Sequence, residues 1–224
     1  MPDKFISLTS DLYQYVVEHR SERDPVLAAL VKETEQLGPV SMMQIAPEQG
    51  AFMTLLARLI GARSAVEVGT FTGYSALCVA RGLTADGRLL CCDVNEQWTA
   101  IARRYWKKAE IADKIDLRIG PGLETLQALP KAQQFDMGFV DADKTNYRHY
   151  YEEILTRLRP NGVMLFDNVL WMGQVLDAAT TDESTRAIRE LNDWAAADPR
   201  VDTVLLPIAD GLTLVRKRAA GEAT

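Results

Sequence analysis

Apolar positions along the chain change their spacing near residue 64. Before it, "SDLYQYVVEHR" (10–20), "DPVLAALVKETEQLG" (24–38) and "PEQGAFMTLLARLIGA" (47–62) repeat apolar residues at helical intervals. Ser10 is placed to cap the first helix, Pro25 sits in the first turn of the second, and Gly38 ends it. After residue 64, short apolar runs alternate with helical stretches. "SAVEVG" leads to "YSALCVARGL", "GRLLCCDV" to "EQWTAIARRYWKKAEI", "KIDLRIG" to "LETLQAL", "FDMGFVDAD" to "NYRHYYEEILTRLRP", and "GVMLFDNV" to "ESTRAIRELNDWAAAD". Two last runs, "RVDTVLLPI" and "GLTLVRK", flank Ala209-Asp210-Gly211 and predict a closing hairpin. Strands alternating with helices predict right-handed crossovers and an α/β fold with a mostly parallel sheet covered on both faces. The C-terminal hairpin adds antiparallel strands. No repeat or linker divides the chain. It reads as a single domain over 1–224, with a helical extension over 1–60, a core over 61–218 and a loose tail over 219–224.

Composition narrows the function classes. A chain of 224 residues is long enough for one α/β domain and too short for two large ones. Its formal charge of −6 argues against non-specific nucleic-acid binding. Cys78, Cys91 and Cys92 are too few for a disulfide framework, and the adjacent pair on a strand points to opposite faces. No apolar run approaches the ~18 residues of a membrane span, and "MPDKFISLTSDLYQYVV" lacks a signal-peptide core. A reducing, cytoplasmic location is expected, with no membrane partner.

In a Rossmann-like, doubly wound sheet the ligand lies beyond the carboxyl ends of the strands. The first strand–helix turn is "VEVGTFTGYS" (66–75). Gly69 and Gly73 allow close backbone approach, with Thr70 between them and Ser75 opening the next helix. The G-x-G-x-x-G fingerprint of dinucleotide binding is absent, because Phe71 stands where its second glycine would fall. Glu67 places a carboxylate where a pyrophosphate would be repelled and a cation welcomed. Asp93 ends the second strand, where an acidic side chain can accept ribose hydroxyls. A ligand with a ribose, a positive charge and no phosphate is S-adenosylmethionine. The same features disfavour a nucleotide-dependent oxidoreductase.

Two other apolar runs end in charge. In "FVDADKTNY" (139–147) and "VMLFDNVLW" (163–171), Asp141, Asp143 and Lys144 follow one run, and Asp167 with Asn168 follows the other. Buried charge needs a partner or a metal. Neighbouring strands lie about 4.8 Å apart, so these two ends converge. Asp141, Asp167 and Asn168 then offer two carboxylates and an amide oxygen. A set of hard oxygens favours Mg²⁺, Ca²⁺ or Mn²⁺ over zinc. Three protein ligands leave positions open for substrate.

Together "VEVGTFTGYSALCVA", "CCDVNE", "FVDADKTNYRHYYEE" and "FDNVLWMGQV" resemble the cation-dependent O-methyltransferases, the family of caffeoyl-CoA and catechol O-methyltransferases. The similarity runs from about Met43 to "DGLTLVRK". It implies that Glu67, Gly69, Thr70, Ser75 and Asp93 contact the cofactor, that Met43 and Ile45 in "MQIAPEQG" lie over it, and that Gly122 stands near its adenine, where the family commonly has alanine. It implies that Asp141, Asp167 and Asn168 are the metal ligands, that Asp141 also borders the cofactor and takes part in catalysis, and that Lys144 is the general base. The acceptors it implies are small aromatic vicinal diols of catechol, caffeoyl or flavonoid type. A hydroxylated uridine of transfer RNA is the alternative, and a non-catalytic cofactor-binding protein is the reading from another class, disfavoured by the intact Asp141/Lys144/Asp167/Asn168 set. A homodimer is expected from the likeness and from the surplus N-terminal helices. Asp143 reads equally as a helix cap or a polar contact in the site, and Trp171 equally as a cover for an aromatic acceptor or a packing residue. His149, Tyr147, Tyr150 and Tyr151 are expected to pack, and "TDEST" to cap the last helix.

Overall fold

The alternation predicted from residue 64 onward is realised strand by strand. The structure, a computed structural model, describes residues 6–21, 24–132 and 134–222. Its strands are β1 (Ser64–Val68), β2 (Arg88–Asp93), β3 (Ile115–Ile119), β4 (Phe135–Val140), β5 (Leu158–Asp167), β6 (Val201–Leu206) and β7 (Leu212–Lys217). They form one seven-stranded sheet in the order β3-β2-β1-β4-β5-β7-β6. The first five pair in parallel, and β7 runs antiparallel to both β5 and β6. The strand order reverses between β1 and β4, which places a ligand crevice at their carboxyl ends.

Both faces of the sheet are covered, so its strands read as continuous apolar runs. Ala65, Cys91, Phe139 and Leu165 point into a core shared with α3 (Pro47–Leu59), α4 (Tyr74–Gly82) and α5 (Glu96–Lys108). Their neighbours Val66, Cys92, Val140 and Phe166 point into a second core with α6 (Gly122–Ala128), α7 (Tyr147–Arg157) and α8 (Glu183–Ala197). The adjacent cysteines thus face opposite ways, as period-two geometry requires. All three cysteines are buried, and none forms a disulfide.

The N-terminal extension holds α1 (Ser10–Glu18), α2 (Pro25–Glu35), a 3₁₀ turn over Gly38–Met43, and α3. Thr9, not Ser10, caps α1: its hydroxyl accepts from the Leu12 N–H at 3.3 Å, and Ser10 is the first helical residue. Asp24 caps α2 through the Val26 N–H at 2.8 Å, with Pro25 at the first position, where a missing N–H costs nothing. Helix α3 lies so close to α4 that a Cβ on Gly50 would stand 2.8 Å from both Cys78 Sγ and Tyr74 Cε1. That contact fixes the start of α3 against the helix that follows the first glycine turn.

One boundary differs from expectation. The helix predicted to run to Pro160 ends at Arg157, and β5 begins at Leu158. Leu158 pairs with Phe135 and Val163 with Met137, so residues 159–162 stand opposite one residue of β4. Pro160 cannot continue a helix, and Asn161 adopts a left-handed φ of 60°, so the strand starts, bulges and resumes. Asp136, the residue bridged, accepts from the N–H groups of Arg63 at 2.7 Å and Ser64 at 2.8 Å. Among the described residues no helix is long and apolar enough to cross a membrane.

Candidate active site

The first glycine turn connects the ends of three strands. The Gly69 N–H donates to the Cys92 carbonyl at 2.9 Å, and the Asp141 N–H donates to the Val68 carbonyl at 2.8 Å. Gly69 has φ of 91°, and a Cβ there would come within 1.8 Å of the Asp141 carbonyl oxygen. Only glycine allows this turn to lie against the end of β4. The turn expected to hold a cofactor and the strand end expected to hold a metal therefore touch through backbone.

Asp93 holds the turn in shape. Its Oδ2 accepts from the N–H groups of Thr70 at 2.9 Å and Phe71 at 2.7 Å, and its Oδ1 accepts from the Asn95 N–H at 2.7 Å. Phe71, itself at a left-handed φ of 50°, stacks edge-on to Trp98 at 5.0 Å. The strand-end carboxylate is thus a turn clamp in its own right, with one acceptor position of Oδ1 left.

Glu67 lies within β1 rather than in the turn, and it is wholly buried. Its Oε1 accepts from Cys91 Sγ at 3.7 Å. The hydroxyls of Ser75 and Thr70 stand beside the carboxyl, yet neither Glu67 Oε2 nor Thr70 Oγ1 completes a hydrogen bond. Burial pushes the Glu67 pKa up to about 8, against a partial opposing pull from Ser75 and Thr70. Near neutral pH the ligand-free protein therefore favours the protonated acid, which corrects the picture of a standing negative charge. Below an ordinary value near 4.5 both folded and unfolded chains hold this proton, and burial of the group costs little. As pH rises from there towards 8, the unfolded chain loses the proton and the folded chain keeps it, so stability falls across that window. Glu67→Gln should abolish this slope in ligand-free protein. Urea unfolding should show the variant gaining on wild type by about 3–4 kcal/mol between pH 5 and 8. Parallel stability curves would refute the assignment.

Of the remaining candidates for the cofactor side, Gly122 lies against the ends of β1 and β2. Ile45 is buried just ahead of α3, whereas Met43 is half exposed at the end of the 3₁₀ turn. Gly122 is the first residue of α6, and a Cβ on it would press within 2.5 Å of Val68 Cγ1. Glycine at this position keeps α6 close to the end of β1.

Beyond β4 and β5 the two charged ends do converge. Lys144 Nζ donates to Asp141 Oδ1 at 3.0 Å, to Asn168 Oδ1 at 2.7 Å and to the Tyr147 hydroxyl at 2.6 Å. Asp167 is nearly wholly buried, and its Oδ1 has no hydrogen-bond partner. Burial and the neighbouring Asp141 carboxylate raise the Asp167 pKa to about 7. Among the described residues no group of three or more His, Cys, Asp or Glu forms a metal cluster. The set here is instead two carboxylates and one amide oxygen. It fits a hard divalent cation on two counts: the donors are all oxygen, and a cationic ammonium already bonds two of them while the third carries an orphaned buried atom.

Asp143 does not cap the following turn with its side chain; its Oδ1 accepts from the Tyr150 hydroxyl at 2.7 Å. Trp171 packs against the second core and also places its ring centroid 5.7 Å from Lys144 Nζ. Tyr147, Tyr150 and Tyr151 are buried, as expected, but His149 is exposed. Asp182 caps α8 through the Thr185 N–H at 2.7 Å.

With that geometry, the chain matches the family described as O-methyltransferase over residues 17–218. The chain belongs to the O-methyltransferase family. It is 42% identical over 210 residues to catechol O-methyltransferase domain-containing protein 1 of Mus musculus, covering 92% of this chain and 79% of that protein. It is 38% identical to a caffeoyl-CoA O-methyltransferase of Eucalyptus gunnii, covering 94% and 89%. The O-methyltransferase from Bacillus cereus, solved in complex with SAH, superposes with a TM-score of 0.84 at 33% identity, covering 92% of this chain and 96% of that one.

Two residues beside the candidate site carry contacts that the sequence pattern does not predict. Helical spacing predicts only packing for Tyr147, yet its hydroxyl accepts from Lys144 and donates to the Asp167 carbonyl at 3.1 Å. It ties the lysine to the strand that carries the metal candidates. Gln49 is wholly buried, both of its amide atoms lack partners, and its amide lies against the Asp167 carboxyl. A signal for Gln49 exists: it shares the buried stripe of α3 with Met53 and Ala57, four and eight residues on, and a polar residue on that stripe needs a reason.

Proposed function

We propose that this O-methyltransferase moves the methyl group of S-adenosylmethionine to one hydroxyl of a small aromatic vicinal diol of catechol, caffeoyl or flavonoid type, with a divalent cation held by Asp141, Asp167 and Asn168. The observation that carries the reading is the position of Lys144 Nζ, within 3.0 Å of Asp141 and 2.7 Å of Asn168, at the strand end that touches the glycine turn. Mg²⁺ is the expected ion, with Mn²⁺ or Ca²⁺ compatible with the same donors. When bound, such a cation supplies Lewis acidity and a point of chelation for adjacent hydroxyls.

The chain's own residues do the rest. The turn at Gly69, with Thr70, Ser75 and Asp93, binds the donor, and Glu67 lies beneath it as a buried acid that a sulfonium ligand draws towards the charged form. Ile45, Met43 and Gly122 border it, as does Asp141. Lys144, in its amine form, accepts the proton of the acceptor hydroxyl. The oxygen then attacks the methyl carbon in line, the C–O bond forms, the C–S bond breaks, and its electron pair returns to sulfur as a neutral thioether. Holding donor and acceptor in this alignment supplies much of the rate.

Asp93→Ala should weaken donor binding by about 1.5–3 kcal/mol, through loss of the ribose partner and loosening of the turn. Calorimetry with S-adenosylmethionine checks this, and an unchanged affinity would remove Asp93 from the donor site. The protein is expected to act as a homodimer in the reducing cytoplasm; a monomer by sedimentation at micromolar concentration would count against the first part. The function itself is tested by incubating the protein and labelled donor with catechol, a caffeoyl thioester, a monohydroxylated analogue and transfer RNA. Label should enter the diols and not the monohydroxylated compound. Label in the RNA alone would overturn the acceptor class.

A further inference from the structure

The segment that begins at Asn168, the last of the metal candidates, is strained. Asn168, Trp171 and Met172 all adopt left-handed φ values, of 56°, 48° and 50°, and Gly173 follows at 81°. Non-glycine residues persist in this region only where their surroundings hold them there. The holder is the hairpin turn between β6 and β7. The Val169 N–H donates to the Gly211 carbonyl at 3.2 Å, and the Leu170 N–H to the Asp210 carbonyl at 3.0 Å. The Met172 N–H donates to Asp210 Oδ1 at 2.6 Å. The turn presses so close that a Cβ on Gly211 would lie 2.5 Å from Leu170 Cγ. On the far side, Asn192 of α8 donates to the Val169 carbonyl at 2.9 Å. Between these supports the loop sets the Trp171 ring over Lys144, and leaves Met172 and Leu176 more than four-fifths exposed.

We propose that Asp210 is a positioning residue for the methyl acceptor, holding Met172 and through it Trp171 in the conformation that covers Lys144. Among the described residues the hydrogen bonds of Asp210 to this region go to the loop, at the Leu170 and Met172 N–H groups, so its contact with the chemistry runs through the loop. Its carboxylate takes the N–H of Met172, the last non-glycine residue of the left-handed stretch. The inference rests on the proposed function for its activity readout and on Trp171 alone for its structural one.

The test compares Asp210→Ala with Asp210→Asn, which keeps an acceptor oxygen at Oδ1. With catechol as acceptor, Asp210→Ala should raise the acceptor KM about fivefold or more and change kcat less, and the donor Kd should stay within twofold of wild type. Asp210→Asn should restore most of the KM. Independently of any turnover, acrylamide quenching of Trp171, taken as the difference between each protein and its Trp171→Phe counterpart, should rise in Asp210→Ala and return in Asp210→Asn. Unchanged quenching and KM in Asp210→Ala would overturn the proposal. So would a loss of donor binding and thermal stability that Asn does not rescue, since that pattern marks a merely structural residue. If wild type turns over no diol, the acceptor reading fails, and the quenching contrast still decides the clamp.

Discussion

Replacing Lys144 with methionine is expected to lower kcat by about 10²–10⁴-fold with little change in acceptor KM, the range general-base catalysis supplies. The ammonium nitrogen is enclosed by Asp141 Oδ1, Asn168 Oδ1 and the Tyr147 hydroxyl, and the residue is only 8% exposed. Methionine fills a similar volume without a basic nitrogen, so packing against Tyr147 and Trp171 largely survives while proton acceptance is lost. The deficit should shrink as pH rises, because hydroxide can then ionise the acceptor hydroxyl without the lysine. The comparison must use protein shown by circular dichroism to be folded, since Asp141 and Asn168 lose a shared donor in the variant. A surface lysine would leave kcat unchanged, but Lys144 is not at the surface. A kcat near wild type across the pH range would remove Lys144 from the chemistry.

The fold was legible because buried parallel strands and amphipathic helices leave different spacings in the sequence. Among the described residues the seven strands and eight α-helices occur in the predicted order, and all strand starts but one fall near where those spacings place them. The start of β5 did not, because Arg159-Pro160-Asn161-Gly162 reads as a helix end and a turn, and nothing local reveals that Leu158 still pairs with Phe135 across the break. The cap of α1 moved by one residue for the same local reason: Thr9 and Ser10 are both able caps, and the backbone selects between them.

The candidate site was legible at its strand ends, where charge after an apolar run is costly and so conspicuous. Asp141, Asp167, Asn168 and Lys144 met as expected. Its supports were not legible. Tyr147 is at once a core residue and a hydrogen-bond bridge, and periodicity reports only the first role. Asp93 was read as a partner for a ligand, but whether it also clamps the turn depends on three backbone N–H directions that no spacing encodes. Glu67 was read as a charge, yet depth of burial, not residue type, decides which form it favours.

Withdrawal of divalent cations is expected to abolish methyl transfer while leaving donor binding largely intact. The donor turn is built from the ends of β1 and β2, whereas the proposed cation ligands lie at the ends of β4 and β5 and are proposed to serve the acceptor. The oxygen-only donor set predicts that Mg²⁺ or Mn²⁺ restores activity. Asp167→Ala should lose this restoration, because it removes the nearly buried carboxylate whose Oδ1 has no other partner. Calorimetry should still register S-adenosylmethionine in that variant. The most direct measurement is transfer of a labelled methyl group from S-adenosylmethionine to catechol by chelator-treated protein, before and after Mg²⁺ is added. Transfer that is absent before and present after is the predicted result; full transfer by the chelated, metal-free protein would contradict the account.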